Sequence, residues 1–266
     1  MTLLESFAIP QKSSVAIVGA GGKTTLLYRL AREMAPEAAK SGGIVLITTT
    51  TKIFRPSEEE AEAVILSADL EEARKRIRKA ARKDLRVVLA AGAHPDPRYG
   101  REKLNGIPPG WAGALLGLDE VAWLLVEADG SQRRPLKAPG EGEPVWPEPT
   151  HVALGVLGLS ALGRPLGLEW AFRPERVSSV TGLAVGEALG PGAFAAILAH
   201  PEGIFRGCPD SARVIGFLNQ ADDPHRVVLG QEIGYILRKE QVSRMEALFV
   251  GRLESGDFQR VYSKIG

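Results

Sequence analysis

The chain holds one cysteine in 266 residues, Cys208. That excludes an internal disulfide and any metal site built from several thiolates. An excess of one charge is also missing. Against 32 Asp and Glu stand 33 Lys and Arg, a net charge of +1, so nothing draws the chain globally toward nucleic acid or an anionic membrane. No apolar run reaches membrane-spanning length. Met1 to Pro10 carries neither a basic leader nor a sustained apolar stretch, so export is not expected. The expectation is a soluble cytoplasmic protein with no nucleic-acid and no membrane partner. Apolar residues are plentiful, at 44 % of the chain, enough for a substantial core. The length admits one large α/β domain or two small ones.

Strand-like and helix-like segments alternate along the chain. Buried strands are expected at Val15–Val18, Ile44–Ile47, Ala63–Leu66, Arg86–Ala91, Val121–Val126, His151–Val156, Arg213–Leu218 and, last, Ala247–Val250. Asp69 is placed to cap a helix with Leu70, Ala73, Ile77 and Ala80 at helical spacing. Its basic face, Arg74 to Arg82, reads as a solvated surface. Gly92 to Gly110 reads as a Gly/Pro-rich loop and Gln132 to Thr150 as a long ordered one. Residues 160–200 read as short helices, and Val227 to Glu240 as a longer one. No clear linker or repeat interrupts the pattern. The expectation is a single α/β domain over 1–266, a three-layer α/β/α P-loop NTPase-like fold with a mainly parallel sheet.

Four polar clusters fall at predicted strand ends, where ligands bind in such sheets. The first is Val18-Gly19-Ala20-Gly21-Gly22-Lys23-Thr24-Thr25, between a strand and a helix. Glycines let N–H groups point inward and let oxygens approach closely. The helix start adds free N–H groups and the positive end of its dipole. Gly19, Gly21 and Gly22 would cradle phosphates, and Lys23 would reach the β/γ-phosphates. Thr24 or Thr25 would hold Mg²⁺. Lys23 is expected to be exposed. The usual spacing G-x-x-x-x-G-K-[ST] would need glycine at position 17, which is Ile17. The loop is shorter and closer to that of Mur-type ligases. The alternative is an ordinary glycine-rich βα turn.

Thr48-Thr49-Thr50-Thr51-Lys52 forms the second cluster. Thr49 and Thr50 could offer hydroxyls to the cation or phosphate, or they could simply favour a strand end. In the third, Glu127-Ala128-Asp129-Gly130, two carboxylates share one face of an extended chain. They stand where a carboxylate serves the Mg²⁺ shell or orients water. Glu127, Asp129 and Thr24 are the expected metal set, and Lys23, Glu127 and Asp129 the expected catalytic set. Arg133, Arg134 and Lys137 follow, suited to transferring phosphate or an anionic small-molecule acceptor, or to a solvated basic turn. A lone His151 reads as structural. The fourth cluster, Asn219-Gln220-Ala221-Asp222, looks like a variant of the N-K-x-D base-reading motif of GTP-binding proteins, with glutamine in place of the stacking lysine. Asp222 could instead cap the following helix.

Taken together, V-G-A-G-G-K-T-T, I-T-T-T-T-K-I-F-R-P (Ile47 to Pro56) and V-E-A-D-G-S-Q-R-R-P-L-K-A-P (Val126 to Pro139) resemble the YqeC family. Gly158 to Gly167, Arg173-Pro174-Glu175 and the late L-N-Q-A-D extend the likeness over nearly the whole chain. The resemblance implies an accessory protein for selenium-dependent molybdenum hydroxylases, or a selenium-cofactor biosynthesis protein. It carries over Gly21, Gly22, Lys23, Thr24, Glu127 and Asp129 as nucleotide-site positions. With the phosphate loop, the expected activity is a Mg²⁺-dependent NTPase or NTP-using transferase with ATP or GTP as substrate, and the resemblance implies a molybdenum hydroxylase or its maturation proteins as partners. A nucleotide-regulated cofactor or metal delivery protein and a small-molecule kinase are the alternatives.

Overall fold

A computed structural model describes residues 1–264. The chain divides into two compact units. The first holds Met1–Ile17, Leu26–Asp129 and Val145–Val152; the second holds Val18–Thr25, Gly130–Pro144 and the described residues from Ala153 onward.

In the first unit, β1 (Ser13–Gly19) is followed by α2 (Lys23–Lys40), and both run across the unit boundary at their glycine-loop ends. A short α1 (Leu3–Phe7) precedes them, closed by a reciprocal Thr2–Glu5 capping box. The main strands are β2 (Ile44–Thr49), β4 (Ala63–Leu66), β5 (Arg86–Ala90) and β8 (Val121–Glu127), in the order β1-β8-β2-β5-β4. Every adjacent pair is parallel. β1, β2 and β8 are buried along their full lengths, as strands covered on both faces must be. Ile44, Leu46, Val87, Leu89, Leu124 and Val126 turn one way, onto α3 (Leu70–Ala80) and α4 (Trp111–Leu116). Trp123 turns the other way, and its Nε1 donates to Pro10 O at 2.8 Å. α1 is tied to α2 by Leu4 N donating to Glu33 at 3.0 Å. Asp69 caps α3 as expected, accepting from Glu72 N at 2.8 Å.

The segment 92–110 is not a loop. β6 (Gly92–Asp96) and β7 (Arg101–Asn105) form a hairpin, and β3 (Lys52–Phe54) pairs antiparallel with β7 as the third strand. The turn is an Asx type: Arg98 N donates to Asp96 Oδ1 at 3.0 Å, and Gly100 has φ +59°. Pro95 is tolerated because β6 is an edge strand.

The second unit contains β9 (Leu136–Lys137), β10 (Val152–Gly158), β11 (Ala171–Phe172), β12 (Arg213–Asn219), β13 (Ala247–Arg252) and β14 (Asp257–Ser263). Its helices are α5 (Pro174–Thr181), α6 (Pro191–Ala199) and α7 (Pro224–Lys239), with a 3₁₀ turn at Leu159–Ala161. The sheet order is β14-β13-β12-β10, while β9 and β11 pair apart from it. β12 and β13 are parallel. β13 is not the last strand: β14 returns antiparallel to it through a turn at Gly256, whose φ is +85°. With five strands in the first unit and four in the second, the protein is α/β with a mostly parallel sheet and seven α-helices among the described residues, compatible with a three-layer α/β/α arrangement. No described helix is long and apolar enough to cross a membrane.

Candidate functional site

In the second unit the glycine loop is held from three sides. Ala20 N donates to Val156 O at 2.7 Å and Gly21 N to Arg134 O at 3.1 Å. Asn219 Nδ2 donates to Gly21 O at 2.8 Å. The glycines are obligatory here. At Gly21, with φ +75°, a Cβ would stand 2.5 Å from Gly158 N; at Gly22, with φ +143°, it would stand 2.3 Å from Asn219 Nδ2. α2 begins directly at Lys23, so Gly22, Lys23, Thr24 and Thr25 present the N–H groups of a helix start, the donors an anion uses. Lys23 departs from expectation. It is 4 % exposed, and its Nζ donates to Gly19 O at 2.9 Å. Folded back, the ammonium lies along its own loop.

The segment 130–144 is built around a buried lysine. Lys137 is fully buried; its Nζ donates to Gly130 O at 2.7 Å and pairs with Glu143 Oε2 at 2.9 Å. Arg173 pairs with the same carboxylate at 2.6 Å. Burial alone would raise the Glu143 carboxyl, but Arg173 and Lys137 outweigh it and hold it at about 2. Arg206 adds a bond to Gly140 O at 3.1 Å. This anchoring fixes the carbonyls of Arg134 and Pro135, which bond Gly21 N and Gly158 N. It also sustains Gln132 and Arg133 at φ +47° and +62°, conformations unfavourable for side-chain-bearing residues. The sequence offers either an anion-binding site or a solvated basic turn here and does not show the buried triad, because Glu143 and Arg173 are 30 residues apart. Arg173 at least stood in a segment the family resemblance had marked.

The fourth cluster also falls in the second unit. Asn219 Oδ1 accepts from Leu253 N at 3.0 Å while its amide holds Gly21 O. Gln220 turns away, at φ +64°, and its amide oxygen accepts from Ser160 Oγ at 2.6 Å. The cap of α7 is Asp223, which accepts from Arg226 N at 2.9 Å. Asp222 pairs with Arg226 at 3.0 Å.

In the first unit, Glu127 and Asp129 are 6 % and 0 % exposed. Ile17, where the chain passes into the glycine loop, is registered against Glu127. The intervening peptide is fixed: Ala128 N donates to Ile17 O, and Val145 N to Ala128 O, both at 3.0 Å. Thr49 Oγ1 donates to Glu127 O at 2.7 Å, Thr48 to Leu89 O at 2.8 Å and Thr50 to Val145 O at 2.6 Å. The threonine hydroxyl protons therefore stitch backbone, and the Thr49 oxygen in turn accepts from Thr51 N at 3.0 Å. The return of the hairpin passes over them, with Gly106 N on Thr51 O and Ile107 N on Thr49 O. Sequence reasoning overlooked Tyr28. Its hydroxyl is buried without a hydrogen-bond partner, and burial, then Glu60 and Glu127, drive its ionisation upward. It stays a neutral donor in acidic surroundings. His151 is structural, accepting from Ser14 N at 3.0 Å.

All the oxygen donors expected to serve a metal are hard ligands, as Mg²⁺ prefers. Among the described residues no three His, Cys, Asp or Glu side chains gather as a self-sufficient metal cage. A nucleotide-borne Mg²⁺ needs only one or two carboxylates besides phosphate and water.

Comparison with known proteins places this geometry in a lineage. The YqeC protein family matches residues 15–175. An Escherichia coli (strain K12) protein named "Uncharacterized protein YqeC" is 30 % identical over 248 residues, 90 % of this chain and 87 % of that protein. No solved structure matches. With more than half of the chain inside the family match and a relative aligned over nine-tenths of it, the chain belongs to the YqeC family.

Proposed function

We propose that the protein binds a nucleoside triphosphate with Mg²⁺ and uses it as an NTPase or NTP-dependent transferase. The observation that carries this reading is the glycine loop. Two glycines occupy conformations and spaces where no side chain fits, and a helix starts at the following lysine. Gly22 to Thr25 supply N–H donors to phosphate, and Lys23 leaves Gly19 O to neutralise it. Mg²⁺ supplies charge neutralisation on the phosphates. Glu127 and Asp129 are the carboxylates suited to its water shell, and Thr24 is the hydroxyl of the expected set. The family resemblance supports a role in maturing the cofactor of a selenium-dependent molybdenum hydroxylase, with that enzyme or its maturation proteins as partners.

Nucleotide-regulated delivery with little turnover is the second reading. It is favoured by a loop that satisfies itself, with Lys23 on Gly19 O and Arg134 O on Gly21 N. One titration separates the two: purified protein with ATP, GTP and CTP, with and without Mg²⁺, followed for binding and for phosphate release. Turnover without a second substrate supports the NTPase; tight binding without turnover supports delivery or a transferase whose acceptor is absent. Absence of any nucleotide binding overturns both.

A further inference from the structure

The turn after β12, the end of β13 and the start of β14 enclose a cleft of about 440 Å³ within the second unit. That lies in the roughly 300–1,000 Å³ range of small-molecule pockets. Its apolar walls are Val227, Val250 and Phe258, and its polar groups include Asp222, Arg252 and Gln259. The floor is fixed backbone: Ala221 N donates to Gly251 O at 3.2 Å, and a Cβ on Gly251 would stand 2.1 Å from Asp257 O.

Two observations connect this cleft to the glycine loop and to one kind of ligand. First, the Asn219 side chain bonds Gly21 O and Leu253 N together. The loop that receives phosphate and the strand end that walls the cleft are thus held at the two ends of a single amide. Second, helix capping is done by Asp223, so the carboxylate of Asp222 is not consumed at the helix end. Arg226 holds it at 3.0 Å and also bonds Gln220 O at 3.2 Å, which steadies it beside the cleft. A carboxylate so held has lone pairs left for further donors.

We propose, resting on the nucleotide reading above, that this cleft is the base subsite and that it takes guanine. The ring lies between apolar walls that include Val227 and Phe258, and Asp222 accepts from N1–H and the exocyclic amine. Adenine offers an acceptor at N1 where guanine offers a donor, so it would face the carboxylate unpaired. Mispaired polar groups discriminate strongly where shape alone does not.

The test uses full-length protein and fluorescent methylanthraniloyl derivatives of GDP, ADP and XDP. The wild type should prefer GDP over ADP and XDP by about tenfold or more. Asp222→Asn should reverse GDP against XDP, because a carboxamide accepts from N1–H and donates to the C2 carbonyl that xanthine has in place of the amine. A merely structural Asp222 would not produce that reversal. Val227→Trp, which fills the cleft, should weaken all three. Failure of the wild type to bind any of the three overturns the nucleotide reading and this inference with it. Binding with no GDP preference, no gain of XDP in Asp222→Asn, or an indifferent Val227→Trp overturns the inference alone.

Discussion

Replacing Glu143 with glutamine should be among the most costly single changes outside the apolar core, and its cost should vanish in acid. Glu143 is a carboxylate shared by the fully buried Lys137 and Arg173. Its ionisation lies at about 2 against an ordinary 4.5, a difference worth about 3 kcal/mol of folding free energy. The folded-state value is depressed, so the contribution is complete above pH 4.5 and fades as pH falls toward 2. About 2 kcal/mol should be gone by pH 3. Glutamine keeps the shape but removes the charge that Lys137 and Arg173 share, and breaking a buried pair typically costs about 3–5 kcal/mol. Urea unfolding at pH 7 and pH 3 reads both effects. The wild type should lose stability between the two, and Glu143→Gln should start lower and fall less. Removing both charges, in Lys137→Met with Glu143→Gln, should recover part of the loss, because the stranded lysine is then absent. A Glu143→Gln protein within about 1 kcal/mol of wild type at pH 7, with an unchanged acid slope, would refute the argument that this triad anchors segment 130–144.

The remaining expectations concern the loop and its surroundings. Lys23→Met should abolish triphosphate binding by calorimetry while lowering stability by about 1 kcal/mol, the worth of its bond to Gly19 O; retained affinity would remove Lys23 from the phosphate site. Asn219→Ala loses bonds to Gly21 O and Leu253 N and should cost about 2 kcal/mol, with faster amide hydrogen exchange at Leu253; exchange left unchanged there would show that the bridge is not needed. Asp129→Asn and Glu127→Gln should weaken Mg²⁺-dependent turnover or binding far more than metal-free nucleotide binding; equal losses with and without Mg²⁺ would remove both carboxylates from the metal reading. Asp69→Ala should cost about 1 kcal/mol through loss of the cap on α3, and a melting temperature equal to wild type would contradict the bond to Glu72 N.

The buried strands were legible because their information is local. Val121–Val126 and Ile44–Ile47 are apolar runs whose meaning hardly depends on what lies elsewhere, and the structure extends each by one or two polar residues. β6, β7 and β14 failed that criterion. Proline, charge and glycine fill them, and they are strands because each finds a partner through a tight turn, at Gly100 or at Gly256. Polar strands of this kind look like loops to any reading based on hydrophobic period. The same limit governs the side chains. The glycines could be read because the loop's own backbone demands them. Four successive threonines read alike in sequence, yet Thr48, Thr49 and Thr50 donate to three different strand or loop carbonyls up to 95 residues away. The sequence places Lys23 as an exposed cation reaching for phosphate, and Lys137 either beside an anion or in a solvated basic turn, yet both are buried. For Lys23 the burying contact is four residues back and conformational, so a phosphate can compete for the ammonium. For Lys137 it is a carboxylate shared with Arg173, a partner that no anion arriving at the loop can displace without leaving Glu143 half-neutralised. The two lysines thus differ in what buries them, Lys23 lying on its own loop's carbonyl and Lys137 forming part of the frame, and nothing in the sequence near Lys137 distinguishes it from the first.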